Sequence, residues 1–184
     1  MKGICTTLFC FMVLSTFVSG CGTAYKVAMD ERNVRTQAKD EKITMAIRKQ
    51  IIDDNQVKFL DISTYCYDGH VYLVGEYENP TQKRQALKLA NGVEGVKSVT
   101  GYFLPKTKGD LCGTTDNLEL SARVKAKLIK DKNIWSTNIE VKSLQCHIIL
   151  LGLVGSQDQI KKAIVHAKEV DGVRSVKSYL KSIK

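Results

Sequence analysis

Three rhythms of apolar residues run along this chain. The first is a short, nearly unbroken apolar stretch from Ile4 to Val18 behind Lys2, too short to cross a bilayer as a permanent helix and of the form of a removable export leader over residues 1–20. The second has a period near four. Ile43, Ile47 and Ile51 make one apolar helical stripe, and Leu120, Val124 and Leu128 make another. The third has a period of two: Ile62 and Thr64 alternate with their neighbours, Asp68-Gly69 supplies a turn, and Val71, Leu73 and Gly75 resume the alternation, which predicts a hairpin. A second helix is signalled by Asn79 with Gln82 at capping-box spacing, and by Pro80 at the first helical position, where its missing N–H costs nothing. Ala86, Ala90 and Val93 give that helix a narrow face able to lie close on a sheet, and Gly95 turns the chain into a last strand.

The same order returns 77 positions later, where residues 40–103 align without a gap on 117–180. Ile52 falls on Ile129, Asp54 on Asp131, Ile62 on Ile139, His70 on His147, Gly75 on Gly152, Ala86 on Ala163 and Ala90 on Ala167. The closing segment repeats most fully: Val93, Gly95, Val96, Ser98, Val99 and Tyr102 recur as Val170, Gly172, Val173, Ser175, Val176 and Tyr179. Similarity at one fixed shift means two copies of one unit. Each copy reads helix, strand, strand, helix, strand, so the fold expected is α+β, with a three-stranded mixed sheet in each module. The expected divisions are a leader at 1–20, a tether at 21–39, a first module at 40–104, a linker at 105–115 and a second module at 116–184. The sheet positions facing away from these cores are not polar: Tyr65, Tyr67, Tyr72 and Val74 in one copy, Leu144, Ile149 and Leu151 in the other. Such faces are expected to pack on each other or on a second molecule, a homo-oligomer.

The duplicated pattern resembles the BON domain, whose marks are a hydrophobic strand ending in Gly, an Ala-x3-Ala helix and a Gly-Val-x-x-Val strand. The copies carry it as Val71-Tyr72-Leu73-Val74-Gly75 with Gly95-Val96-Lys97-Ser98-Val99, and as Ile148-Ile149-Leu150-Leu151-Gly152 with Gly172-Val173-Arg174-Ser175-Val176. The leader closes with Val18-Ser19-Gly20-Cys21, which resembles the lipobox of bacterial lipoproteins, cut before a diacylglyceryl-modified cysteine. Cys21 is therefore the expected lipid attachment site and mature N-terminus. Gly22 in the next position implies outer-membrane sorting, since the resemblance makes an Asp there the inner-membrane retention signal. A lipobox followed by two such domains looks like the dual-BON outer-membrane lipoproteins of Gram-negative envelopes. That resemblance implies a periplasm-facing lipid anchor, binding to phospholipid or envelope surfaces, no cofactor and no catalytic chemistry.

Charge adds to that expectation because it is uneven. Of a net +9 for the chain, residues 40–103 hold eight Lys/Arg against nine Asp/Glu, whereas 117–180 hold eleven against six. Arg123, Lys127 and Lys130 stand at i, i+4 and i+7 on the first helix of the second copy, with Lys125 among them. Each basic residue near an anionic surface contributes on the order of 1 kcal/mol, and a flexible tether of the expected length reaches roughly 25 Å. The resemblance implies that this helix is the phospholipid-binding element, so Leu118, Leu120, Arg123, Lys125, Lys127 and Lys130 are the candidate residues, with anionic phospholipid as partner. The competing expectation is an adaptor whose repeats scaffold an envelope protein complex and whose basic face serves only solubility. Trp135, just beyond that helix, fits either a bilayer's headgroup level or a cap on the local core.

Cys66, Cys112 and Cys146 remain in an exported chain, in a compartment that permits disulfides. A bridge from Cys112 to Cys66 or to Cys146 would pin the linker, and spacing leaves the choice open. Cys146-His147 is a poor metal pair, since adjacent strand residues point to opposite faces and no second pair stands at zinc spacing. No nucleophile with a base, and no glycine-rich phosphate loop, is evident. The export leader also removes nucleic acid from reach of the basic face.

Overall fold

A computed structural model describes residues 34–57, 62–107, 109 and 112–183. The leader, Cys21 and Lys58, the counterpart of Trp135, lie outside these. The first module runs α1 (Val34–Asp53), β1 (Ile62–Tyr67), β2 (His70–Tyr77), α2 (Pro80–Asn91) and β3 (Ser98–Pro105). The second repeats it as α3 (Thr114–Lys130), β4 (Ile139–Leu144), β5 (His147–Val154), α4 (Gln157–Lys168) and β6 (Ser175–Ser182). In each sheet the central strand pairs antiparallel with its hairpin partner and parallel with the last strand, the helix making the crossover, so both sheets are mixed. Helix α1 starts at Val34, ahead of the expected module boundary at Asp40. No Gly or Pro interrupts residues 34–53, so the helix extends through polar turns in which no apolar stripe signalled it.

The helical stripes meet the sheets as their spacing predicts. Ile43, Ile47 and Ile51 pack with Val71, Leu73, Ala86 and Ala90 in one core; Leu120, Val124 and Leu128 pack with Ile148, Leu150, Ala163 and Ala167 in the other. Asn79 caps α2 as anticipated, accepting from the backbone of Thr81 and Gln82 while the Gln82 side chain accepts from Asn79 N. A polar side chain, buried in the first copy and half-buried in the second, ties each first helix to its hairpin. The Asp40 carboxylate accepts from Asp68 N, Gly69 N and the Cys66 thiol at 2.8, 2.9 and 3.2 Å. In the matching place, Asn117 Oδ1 accepts from Cys146 N at 3.0 Å and Ser143 Oγ at 2.7 Å. Both hairpin turns take positive φ at their two central residues, Asp68 and Gly69 in one, Gln145 and Cys146 in the other. That is the turn whose twist suits a two-residue hairpin, and in the second copy it is made without glycine.

Of the two partners left open for the linker cysteine, Cys146 is the one bonded: Cys112 and Cys146 form a disulfide, so the linker is fastened to the tip of the second hairpin. Cys66 keeps a buried thiol directed at Asp40.

The sheet faces that carry no helix pack on each other. Tyr72 and Val74 are buried against Leu144, Ile149 and Leu151, with Tyr65, Tyr67, Tyr102, Leu104 and Tyr179 around them. The result is four layers: helices, sheet, sheet, helices. At the border, Gln145 Nε2 donates to Glu76 Oε1 at 3.0 Å and to Pro105 O at 2.8 Å. Each large apolar side chain removed from water here contributes about 1.5–3 kcal/mol.

Two substitutions probe these contacts. Ile149→Asp places a carboxylate at a fully buried site between the sheets. The expected outcome is a larger radius of gyration by small-angle scattering with helix and strand content retained; an unchanged radius would show that the modules hold together without this face. Gly152 has φ +135, and an added Cβ would stand 2.0 Å from the Asn138 carbonyl oxygen. Gly152→Ala is expected to cost on the order of 4 kcal/mol, read from chemical denaturation.

Candidate functional site

The outward face of α3 differs from a simple solvated face. With Leu120, Val124 and Leu128 turned into the core, the opposite side carries Leu118, Ala122, Ala126 and Ile129 at i, i+4, i+8 and i+11, all exposed. Leu118 and Ile129 are 72% and 59% exposed. The equivalent row on α1 is Glu41, Met45, Lys49 and Ile52, where charge interrupts the stripe. A continuous exposed apolar row therefore belongs to the second module, and beside it stand Arg123 and Lys130, both exposed.

The six candidate residues separate into distinct roles. Leu120 does not face outward: it is 4% exposed and packs in the core, its Cδ2 against the backbone of Gly172. A side chain in the same row as Val124 and Leu128 cannot serve both the core and an outer surface. Lys125 is also withdrawn, since its ammonium folds back to donate to the carbonyl oxygens of Ser136 and Ile139. It braces the short 3-10 turn at Ser136–Asn138 against α3. Lys127 pairs with Glu169 at 2.5 Å, which lowers the Glu169 pKa. Arg123 donates to Asp171 O at 3.1 Å and lies 3.9 Å from Glu119 Oε1, yet its side chain stays exposed. Lys130 makes no ion pair among the described residues. The outward group is thus Leu118, Arg123 and Lys130, joined by Ala122, Ala126 and Ile129, which sequence reasoning passed over. Their signal was the row offset by two from the core stripe, weak because alanine reads as neutral.

Helix α3 is held at both ends. At its start, the disulfide and Asn117 tie it to the hairpin tip. Beyond its end, Asp131 accepts from Asn133 N at 2.9 Å and lies 3.0 Å from His166 Nε2 on α4. These bonds, the one to His166 foremost, pull the Asp131 pKa down to about 2, against the opposing effect of burial. The neighbouring charge of Lys162 acts in the same direction.

Beside the disulfide, an open cavity of about 290 Å³ is lined by Arg123 and Arg174 together with Asp116, Glu119 and Asp171. Two arginines and three carboxylates share its lining, so it presents no strong field of one sign. Trp135 is half-buried, with its ring against Gly155, where an added Cβ would lie 3.0 Å from Cζ2. His70 and His147 take the same place in the two copies, each Nδ1 2.7 Å from a serine hydroxyl, Ser98 or Ser175. Among the described residues no group of three or more His, Cys, Asp or Glu is placed to hold a metal ion, and no helix is long and apolar enough to cross a membrane.

Comparison with known proteins places this geometry. A family model described as the BON domain matches residues 39–103 and 116–183. The chain is 34% identical over 145 residues to osmotically-inducible protein Y of Escherichia coli, covering 78% of this chain and 72% of that protein. It is 30% identical over 171 residues to outer membrane lipoprotein DolP of Haemophilus influenzae, covering 92% of this chain and 88% of that one. A 21 kDa hemolysin of Actinobacillus pleuropneumoniae is 26% identical over 149 residues, covering 80% of this chain and 76% of that one.

The Asp131 contacts set a pH dependence with a definite sign. A carboxyl whose folded pKa is depressed stabilises the fold above its ordinary range near 3.8 and loses that contribution as pH falls towards about 2. Thermal melts between those two values should show stability falling with acidity, and Asp131→Asn should flatten the slope; an equal slope in the variant would place the dependence elsewhere.

Proposed function

The chain belongs to the BON-domain family, and on that premise we propose that it is an outer-membrane-anchored, periplasm-facing lipoprotein that binds anionic phospholipid through α3 of its second module. The observation that carries this reading is the exposed row Leu118, Ala122, Ala126 and Ile129, flanked by Arg123 and Lys130 on a helix secured at both ends. An apolar row with cations along its border suits the boundary between acyl chains and anionic headgroups, where apolar burial and charge attraction add. The small alanines let the helix backbone approach that boundary closely, with Leu118 and Ile129 as its deeper side chains. Cys21, outside the described residues, supplies the anchor in this reading, and similarity to a protein named as an outer membrane lipoprotein supports the location. The fatty chains retain the protein at the bilayer while α3 orients it. The role is one of binding, with no chemistry assigned to any side chain.

Co-sedimentation with vesicles tests the proposal, using Cys21→Ser protein so that the anchor does not mask the contact. Binding is expected to vesicles rich in phosphatidylglycerol and to weaken as salt rises. Neutralising Lys130 or Arg123 should weaken it about fivefold each, from roughly 1 kcal/mol per charge. Leu118→Ser with Ile129→Ser should weaken it further with the salt dependence kept. Lys125→Gln is expected to lower the melting temperature instead, because its ammonium braces the fold. Equal affinity for neutral and anionic vesicles, or none for either, would favour the scaffolding adaptor.

A further inference from the structure

The two modules end in equivalent edge strands, and their exposed edges are not equally protected. Lys106 N donates to Tyr77 O at 2.8 Å and Ile183 N to Val154 O at 3.0 Å, which sets the alternation along each strand. On β3 the backbone groups of Thr100, Tyr102 and Leu104 therefore face β2, while those of Val99, Gly101 and Phe103 face outward; on β6 the outward residues are Val176, Ser178 and Leu180. The β6 edge is partly closed on itself, because the outward N–H of Leu180 donates to Ser178 Oγ at 3.3 Å. Lys177 and Lys181 add charge along it. Gly101 takes the place of Ser178 on β3, so no hydroxyl serves the outward N–H of Phe103, and residues 98–105 carry no charged side chain. Pro105 ends this stretch with no N–H to offer and its carbonyl oxygen engaged by Gln145. Among the described residues nothing pairs with the outer edge of β3. Unpaired, uncharged edges are templates for strand addition, and lysines are a common guard against it.

We propose that the β3 edge docks a second copy of this chain, through antiparallel pairing of two β3 strands about a two-fold axis at Gly101. In that register Gly101 exchanges both its backbone bonds with its own counterpart, and Val99 does so with Phe103, a β-branched residue opposite an aromatic one. Thr100 falls opposite Tyr102, and no like charges meet. The same operation on β6 would set the Lys177 side chains of the two copies on a diagonal and compete with the Leu180–Ser178 bond. Pairing of β3 with β6 would be head-to-tail, leaving a free edge at each end unless a ring closed, whereas the two-fold contact is complete with two copies. The docking surface is separate from α3, so this inference does not rest on phospholipid binding.

The test is the mass of the full mature protein, lipid anchor included, in detergent micelles, by sedimentation over a range of concentrations. A reversible dimer is expected. Val99→Pro removes an outward N–H and no bond to β2, and should weaken dimerisation at least tenfold while leaving the melting curve cooperative. Should that variant fail to fold, Thr100→Lys adds a charge to the same edge and carries the same expectation. Mixing Thr100→Cys chains with Tyr102→Cys chains should yield a disulfide-linked heterodimer in preference to either homodimer. A monomer at all concentrations, or a dimer indifferent to both edge substitutions, overturns the proposal, as does an edge found occupied by an extended segment of another protein.

Discussion

Each three-stranded sheet has helices on one face only, and the need to cover the other face governs the architecture. Left in water, the second apolar face of each sheet would forfeit the stabilisation its burial supplies. The two copies resolve this by pressing those faces together, so that Ile149 and Leu151 of one sheet are buried against Tyr72 and Val74 of the other. The modules are consequently two halves of a four-layer body. Once the inner faces are used in this way, the outer helix faces and the strand edges are what remains for other molecules.

The duplication keeps the physical task at each position more faithfully than the residue. Asp40 and Asn117 both reach from the first helix to the hairpin tip, one with a carboxylate and one with an amide. Asp54 and Asp131 both gather nearby donors just after that helix: Gln56 N and Gln85 at the first, Asn133 N and His166 at the second. The hairpin tip diverges most. Gly69 accepts positive φ freely, whereas Cys146 occupies the corresponding place and is bonded to Cys112. The second copy thereby tethers the linker at the root of α3, and that helix presents its outer row from a fixed support.

The excess of positive charge on the second module is partly spent internally. Lys125 closes a turn and Lys127 answers Glu169, whereas Arg123 stays exposed while donating to the Asp171 carbonyl before β6. An even basic surface would bind any polyanion; an exposed apolar row bordered by a few cations matches an interface that is apolar on one side and anionic on the other.

Periodicity was enough to read the elements of each copy, the cap at Asn79 and the core stripes from Ile43 to Ile51 and from Leu120 to Leu128, because those depend on neighbours a few residues away. The same stripe already assigned Leu120 to the core, and its burial decides between that role and the lipid-facing one. The remaining choices needed the assembled fold. Cys112 had two candidate partners until the hairpin tip was set beside the linker. Lys125 resembled its basic neighbours until the turn after α3 brought two carbonyl oxygens to it. The apolar sheet faces called for a cover without naming it. A pattern of side chains states which face of an element avoids water, but what that face meets depends on residues distant in sequence, which only the tertiary arrangement brings together.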